Sequence, residues 1–206
     1  YYVSDENEEA RTVISLIKRY KNFKNSAILY RTNAQSQPFE SMLNKLSIPY
    51  KIIGALKFYD REEIKDSLAL MQLFLNTKDI VNFKRMINKP ARGIGPTSVE
   101  KIVSLVDETS NDIFDAINLA CERKLISPKC IKSAKEFVAN MEKAFNIIDS
   151  GNLSLGVKTL LEDVGLIDHY RKQDATNNTF KVDNLNTLIN ALESYPSDIE
   201  GLQQFL

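Results

Sequence analysis

The sequence predicts a mainly α-helical fold with a short, incomplete α/β portion near its start. Two apolar, strand-like runs, Ala27–Tyr30 and Tyr50–Ile53, flank a helical segment, an order typical of a βαβ unit with parallel strands. From Glu62 onward, apolar residues recur at helical spacing, and no third strand-like run follows. Because two strands alone do not make a stable sheet, we expect the α/β portion to be incomplete.

The composition is that of a globular protein. Hydrophobic residues make up 43% and charged residues 26% of the 206 residues, so a core can form. The formal net charge is zero, so any contact with nucleic acid must come from a local patch. No apolar run reaches the length of a membrane span and no signal peptide opens the chain, so we expect no membrane partner. Cys121 and Cys130 are typical of small buried residues, and no cluster of Cys or carboxylate residues surrounds His169, so we predict no metal site.

Periodicity and capping residues predict the helices. The first is expected over Asp5–Tyr20, with a capping box between Asp5 and Glu8, and the second around Phe39–Leu46. The asparagine-rich segment Gln173–Thr179 is predicted to be a mobile loop. Further helices are predicted over Glu62–Leu75, Ile80–Ile87, Pro96–Val106, Asn111–Cys121 with Asn111 as the cap, Pro128–Asp149, Val157–Val164, Leu185–Leu192 and Ile199–Leu206.

The first candidate site is the glycine turn within Asn88–Lys101. Gly93 and Gly95 flank one apolar residue, and a helix is predicted to begin at Pro96. Outward backbone N–H groups and a helix N-terminus suit such a turn to hold a phosphate. Six basic and two acidic residues lie between Lys78 and Lys101, which favours a nucleic-acid backbone as partner. A helical corner in which the glycines serve close packing is the competing interpretation. The candidate DNA-binding residues are Lys89, Arg92, Gly93, Ile94, Gly95, Thr97 and Lys101.

The second candidate site is Tyr30–Arg31, at the carboxyl end of the first predicted strand. Ligands of open parallel sheets bind beyond this end of the strands. There Arg31 can make charge-assisted contacts to a phosphate and Tyr30 can stack on a base. The alternative is that Tyr30 ends the core and Arg31 is only solvated.

Other catalytic machinery is missing from the sequence. It contains no Gly-x-x-x-x-Gly-Lys-Ser/Thr phosphate loop and no Ser/His/Asp or Cys/His arrangement. Acidic pairs such as Glu62–Glu63 are typical of helix starts, where negative charge is favourable. We therefore expect that this chain alone is not a complete enzyme.

Several motifs together resemble those of superfamily 1 DNA helicases of the UvrD/PcrA/Rep type. Ala27–Ser36 (AILYRTNAQS) is similar to the fourth helicase motif, and Asn88–Gly95 (NKPARGIG) to the Gly-Ile-Gly element that contacts duplex DNA. The matches follow the family's order and cover nearly the whole chain. The remaining matches are Ile48–Tyr50, Ile53–Gly54, Phe58–Tyr59, Arg61–Asp66 and Val182–Leu185.

The resemblance implies a division of the chain and roles for its candidate residues. Residues 1–54 would be the first part of the second RecA-like motor domain (2A), and residues 55–206 the helical insertion called 2B. Tyr30 would stack on the adenine of ATP, and Arg31 would reach the γ-phosphate as the catalytic residue. The Gly-Ile-Gly turn would hold duplex DNA ahead of the single-strand/duplex junction.

The resemblance also implies cofactors, partners and a location. The full-length helicase would use ATP and Mg²⁺ for 3′-to-5′ movement in repair or replication restart. The fragment would lack the Walker motifs, bind neither cofactor alone, and pair with the rest of its chain or with itself. A bacterial cytoplasmic, nucleoid-associated location follows.

Two departures and two alternatives remain open at the level of sequence. Gln37 stands where the family often has arginine, and Gly54–Ala55 replaces a glycine pair, so the role of that arginine cannot be transferred. One alternative is a stand-alone helical module that binds DNA or protein without motor activity. The other is a nuclease-associated helicase subunit of the RecB or AddA type.

Overall fold

The computed structural model describes residues 2–20, 23–110, 112–177 and 179–206. Within these ranges the chain is mainly helical, which confirms the predicted class. The α-helices are α1 (Glu6–Tyr20), α2 (Ser36–Lys45), α3 (Glu62–Leu75), α4 (Ile80–Met86), α5 (Pro96–Val103), α6 (Ile113–Glu122), α7 (Pro128–Asp149), α8 (Leu153–Asp163), α9 (Leu166–Asn177), α10 (Lys181–Ala191) and α11 (Ile199–Phe205).

The prediction of two paired strands was wrong. Ala27–Tyr30 and Tyr50–Ile53 carry no strand assignment in the described ranges, and no backbone hydrogen bond joins them there. A strand is defined by its ladder to a neighbour, and apolar sequence alone does not supply one. Leu29 and Ile53 are therefore 94% and 88% exposed.

Two helices begin and end where capping and periodicity predicted. Helix α3 spans Glu62–Leu75 as expected. Helix α7 begins at Pro128, where the Ser127 hydroxyl accepts a hydrogen bond from the backbone N–H of Cys130 at 3.3 Å. Serine before proline thus indicates a helix start, because the serine oxygen accepts from a backbone N–H of the first turn and proline has no N–H to leave unpaired.

Three other features of the helix ends differ from the prediction. The Asn111 cap lies outside the described residues, and the Asp112 carboxylate caps α6 by accepting from the N–H of Phe114 at 2.8 Å. Helix α5 ends at Val103, and Val106 belongs to a following 3₁₀ turn. In the N-terminal capping box, Asp5 accepts from the Glu8 N–H, but the Glu8 carboxylate accepts from Ser4 instead of Asp5.

The predicted loop Gln173–Thr179 is wrong over most of its length, because α9 continues to Asn177. Tyr170 in this helix is fully buried in the large hydrophobic core. The Asp174 carboxylate then accepts from the backbone N–H groups of Lys181 and Val182, both at 2.9 Å, and so joins α9 to α10. The polar composition of this segment alone does not predict these contacts.

The described residues form two separate hydrophobic clusters. The small one contains Ala10, Ile14 and Phe39 of α1 and α2. The large one begins at Phe58 and includes the buried faces of α3 to α11, with α7 packed on α8 and α3 on α4 and α10. Throughout the described ranges, every helix is too short or too polar to cross a lipid bilayer.

Candidate duplex and nucleotide contacts

The glycine turn lies between α4 and α5. Gly93 has a left-handed backbone with φ of +74°, whereas Gly95 is the cap of α5 with φ of −75° and ψ of 170°. A positive φ is the conformation that a side chain disfavours. The conformational need for glycine therefore lies at Gly93 and not at Gly95.

Some backbone N–H groups of the turn are hydrogen-bonded within the protein, and others are free. Those of Arg92 and Ile94 donate to the side-chain oxygen of Asn88, at 2.7 and 3.3 Å. The N–H groups of Gly93, Gly95 and Thr97 have no acceptor within the described part of the chain. The expectation that all of them point outward is corrected: the free ones form a set of three beside the α5 N-terminus.

Arg92 faces the protein interior instead of solvent. Its guanidinium donates to the carbonyls of Lys89, Val164 and two residues at the end of α4, at 2.5 to 3.1 Å. Burial lowers the pKa of this guanidinium to about 10. Ile94 is 1% exposed. Arg92 and Ile94 thus fasten the turn to the helices beneath it, and neither is free for an outside ligand.

Lys89 also has partners inside the protein. Its ammonium pairs with Glu62 at 2.6 Å and with Asp66 at 2.5 Å. Burial acts to lower the pKa of Lys89, but hydrogen bonds to these carboxylates outweigh it and the pKa is raised. Asp66 is 0% exposed, pairs with Arg85 at 2.6 Å and accepts from the Tyr170 hydroxyl. Lys89 is therefore one cation of an ionic cluster around the buried Asp66.

One exposed lysine lies beside the turn, and another lies in the last turn of α5. The Lys101 ammonium donates to the carbonyl of Leu125 at 3.0 Å and stays exposed. Lys129, the second residue of α7, lies beside the turn: a Cβ built on Gly93 would lie 3.5 Å from its Cε and 3.9 Å from its Nζ. Sequence reasoning missed Lys129, because 36 residues separate it from Gly93 and only the fold brings α7 to the turn. The Ser127–Pro128 start of α7 was the one available signal.

Tyr30 and Arg31 border a recess of about 260 Å³ together with Glu9 and Gln35. The Gln35 side-chain oxygen accepts from the backbone N–H groups of Arg31 and Thr32, at 2.9 and 3.1 Å, and so shapes this loop. The Arg31 guanidinium is exposed and has no hydrogen-bond or ion-pair partner among the described residues. A free guanidinium and a half-buried phenol beside a recess fit the phosphate and base of a nucleotide.

No group of three or more His, Cys, Asp or Glu residues suited to a metal occurs in the described part of the chain. Cys121 and Cys130 are free, buried thiols there. The Cys130 thiol donates to the Gly93 carbonyl at 3.1 Å, and its pKa is lowered chiefly by a hydrogen bond with the Ser127 side chain. Cys130 thus joins the start of α7 to the turn.

Comparison with known protein families identifies the family of the chain. The family model described as "UvrD-like helicase C-terminal domain" matches residues 1–205. The chain belongs to the UvrD-like helicase C-terminal domain family. The mainly helical fold, the glycine turn and the Tyr30–Arg31 loop are therefore features of one member of that family.

Relatives of this UvrD-like chain are named DNA helicases. It is 32% identical over 217 residues to the ATP-dependent DNA helicase PcrA of Staphylococcus epidermidis, covering 100% of this chain and 29% of the relative. It is 32% identical over 222 residues to DNA helicase II of Escherichia coli, covering 100% of this chain and 30% of the relative. PcrA of Staphylococcus aureus is 30% identical over 217 residues, with 100% and 29% covered. The chain thus spans less than a third of the length of these relatives.

Proposed function

We propose that this chain is part of an ATP-dependent 3′-to-5′ DNA helicase and translocase. The observation that carries the proposal is the family match over residues 1–205, together with relatives named as DNA helicases. The direction of movement comes from the resemblance of the fourth motif and the Gly-Ile-Gly element to UvrD/PcrA/Rep-type helicases. We place the parent protein in the bacterial cytoplasm, associated with the nucleoid.

Within that helicase, the glycine turn contacts the backbone of duplex DNA near the single-strand/duplex junction. The free N–H groups of Gly93, Gly95 and Thr97 donate to phosphate oxygens, and the exposed Lys101 and Lys129 supply positive charge. Contacts of this kind orient the duplex without reading its sequence. Of the other residues predicted to bind DNA, Lys89, Arg92 and Ile94 support the turn from inside.

The chain also contributes one side of the ATP site. Tyr30 stacks on the base, and Arg31 contacts the γ-phosphate, where a guanidinium stabilises the charge that develops in phosphoryl transfer. We assign no Mg²⁺ ligand to this chain. Hydrolysis needs ATP, Mg²⁺ and the remaining motifs of the full-length protein.

We further propose that the chain divides between residues 54 and 55 into a 2A portion and a 2B portion. The two separate hydrophobic clusters support this division, because one lies in α1 and α2 and the other begins at Phe58. Each portion then contains one proposed contact: Tyr30–Arg31 in the first and the glycine turn in the second.

DNA-stimulated ATP turnover tests the proposed nucleotide contact. In the full-length protein, Arg31→Ala should lower turnover by roughly 10³-fold or more, the magnitude assigned to arginine fingers. Arg19→Ala is the matched control, because it removes an exposed arginine of α1 that does not border the recess. The isolated chain should show no turnover with or without DNA. Unchanged turnover in Arg31→Ala would refute the assignment.

The salt dependence of duplex binding tests the phosphate contact. Lys129→Met should reduce the slope of log affinity against log salt by about one unit, since one phosphate contact is lost. Lys143→Met, on the same helix but paired with Asp163 at 2.7 Å, should leave the slope unchanged. Equal slopes for wild type and both variants would show that Lys129 does not contact DNA.

A further inference from the structure

A cluster of buried polar side chains lies between the two hydrophobic clusters. We name it the Arg61 hub. Its members are 2 to 6% exposed, although each has a polar or charged group: Ser36, Glu40, Arg61, Glu63 and Asn184. Burying such groups costs free energy unless every one is hydrogen-bonded, so a cluster of this kind imposes a specific geometry.

Arg61 connects three separate segments of the chain. Its guanidinium donates to the carbonyl of Asn33 at 2.9 Å, to the hydroxyl of Ser36 at 2.9 Å and to the side-chain oxygen of Asn184 at 3.1 Å. The side-chain N–H of Asn184 donates in turn to the Glu63 carboxylate at 2.6 Å. The hub therefore joins the loop before α2 to α3 and α10, and its bond between Arg61 and Asn184 spans 123 residues of sequence.

The hub lies next to the loop that presents Arg31. Asn33 and Ser36, which Arg61 contacts, flank Gln35, whose side chain accepts from the backbone N–H of Arg31. The Ser36 hydroxyl also lies 2.7 Å from the Glu40 carboxylate, which accepts from the N–H of Phe58 at 3.1 Å. The backbone that carries Arg31 is thus held from both sides of Gln35.

Stability alone does not account for this arrangement. Burial lowers the pKa of Arg61, which reflects the cost of keeping a guanidinium away from water. Apolar side chains of similar volume would join the same elements without that cost. What the polar groups add is direction, because a planar guanidinium fixes the positions of the acceptors around it.

We propose that Arg61 is a positioning residue for Arg31, and that Asn184 makes the placement of Arg31 depend on the helical portion of the chain. This inference rests on the proposed contact between Arg31 and the γ-phosphate. It assigns no contact with nucleotide to Arg61 or Asn184; both act through the Asn33–Ser36 backbone.

The test is a pair of double-mutant cycles on DNA-stimulated ATP turnover by the full-length protein. Arg61→Lys keeps the charge but loses the planar fork, and Asn184→Leu keeps similar volume but loses the amide. Each should lower kcat about 10- to 100-fold with little change in the KM for ATP, because a small displacement of a transition-state contact has that effect. When Arg31 is already alanine, either substitution should change kcat by less than about twofold.

Arg85→Lys is the matched control. It alters another charged pair of the helical portion, with the buried Asp66, and should leave kcat unchanged. Melting temperatures of all variants show which of them fold, and either Arg61→Lys or Asn184→Leu is sufficient for the cycle.

The outcomes separate this inference from the proposed function. If Arg31→Ala leaves turnover unchanged, the proposed contact between Arg31 and the γ-phosphate fails, and the inference fails with it. If Arg31→Ala lowers turnover but the hub substitutions lower it further by the same factor in that background, the inference alone is overturned. Loss of folding in both hub variants, or an equal effect of Arg85→Lys, would show that the hub serves only stability and would also overturn it.

Discussion

The glycine turn makes a quantitative prediction, because its two glycines differ in backbone conformation. Gly93 has φ of +74°, and Gly95 has φ of −75°. Alanine accepts the second conformation readily and the first only with strain. The matched substitutions Gly93→Ala and Gly95→Ala therefore add the same methyl group two residues apart and isolate the effect of the backbone.

The expected magnitudes follow from the surroundings of each position. A Cβ at Gly93 would lie 3.5 Å from the Lys129 Cε, an ordinary contact, so strain in φ decides the result. Gly93→Ala should lower the free energy of unfolding by about 1–2 kcal/mol. A Cβ at Gly95 would meet no atom within 4 Å. There, reduced entropy of the unfolded chain and a poorer helix cap offset each other, so the change should stay within about 0.5 kcal/mol.

Urea denaturation of the 206-residue chain, followed by circular dichroism, measures both values. The slopes of the unfolding transitions should match, so that the midpoints can be compared directly. Equal stability of the two variants, or a larger loss for Gly95→Ala, would refute the assignment of the left-handed position to Gly93.

Three further predictions concern the buried carboxylate, the pH dependence and the exposed apolar segments. Asp66→Asn should lower the free energy of unfolding by about 3–5 kcal/mol in the same denaturation assay, because its basic partners lose a buried counterion. The control is Asp60→Asn, which removes an exposed pair between Asp60 and Lys65 at 3.2 Å and should lower the free energy of unfolding by at most about 1 kcal/mol. Hydrogen bonds from Lys89 and Lys181 lower the pKa of Glu62 from 4.5 to about 2, so ionised Glu62 stabilises the fold fully above pH 4.5 and loses this effect as the pH falls through 2. Glu62→Gln should therefore flatten the dependence of the unfolding free energy on pH between these values. An unchanged dependence would contradict the pairing of Glu62 with the two lysines. Replacing exposed Leu29 and Ile53 together by serine should reduce self-association of the isolated chain in sedimentation velocity, whereas a monomeric wild-type chain would refute self-association through these segments.

The helices could be predicted from the sequence where local signals agree. Helix α7 has a serine cap, a proline at its first position and a long apolar period, and its bounds are those predicted. Helix α3 has two glutamates at its start and an uninterrupted apolar stripe. In both helices, residues close in sequence determine the structure.

The errors arise where distant residues decide. Segment 173–177 is polar but helical, because buried Tyr170 and the turn to α10 hold it. The two strand-like runs have strand composition, but the described residues offer them no ladder partner. In neither segment does the local sequence pattern alone determine the structure that forms.

In the candidate sites, too, the sequence predicts local features but not contacts between distant residues. The glycine turn and the Tyr30–Arg31 pair were found from sequence because their residue types suit phosphate binding. That Arg92 faces inward follows from its bond to Val164, 72 residues away, and could not be predicted from the basic character of the segment. Lys129 reaches the turn only through the packing of α7.

The most direct test of the proposed duplex contact removes a single N–H group. Gly95→Pro deletes the N–H at a position whose φ of −75° suits proline, and Gly95→Ala retains it. Duplex affinity is measured for both by fluorescence anisotropy over a salt series, with folding checked by circular dichroism. Gly95→Pro should weaken binding roughly 10- to 100-fold at every salt concentration, with an unchanged salt slope, because a neutral donor to a charged phosphate is lost. Gly95→Ala should bind like wild type, and equal binding by a folded Gly95→Pro variant would contradict the proposal that this turn holds the DNA backbone.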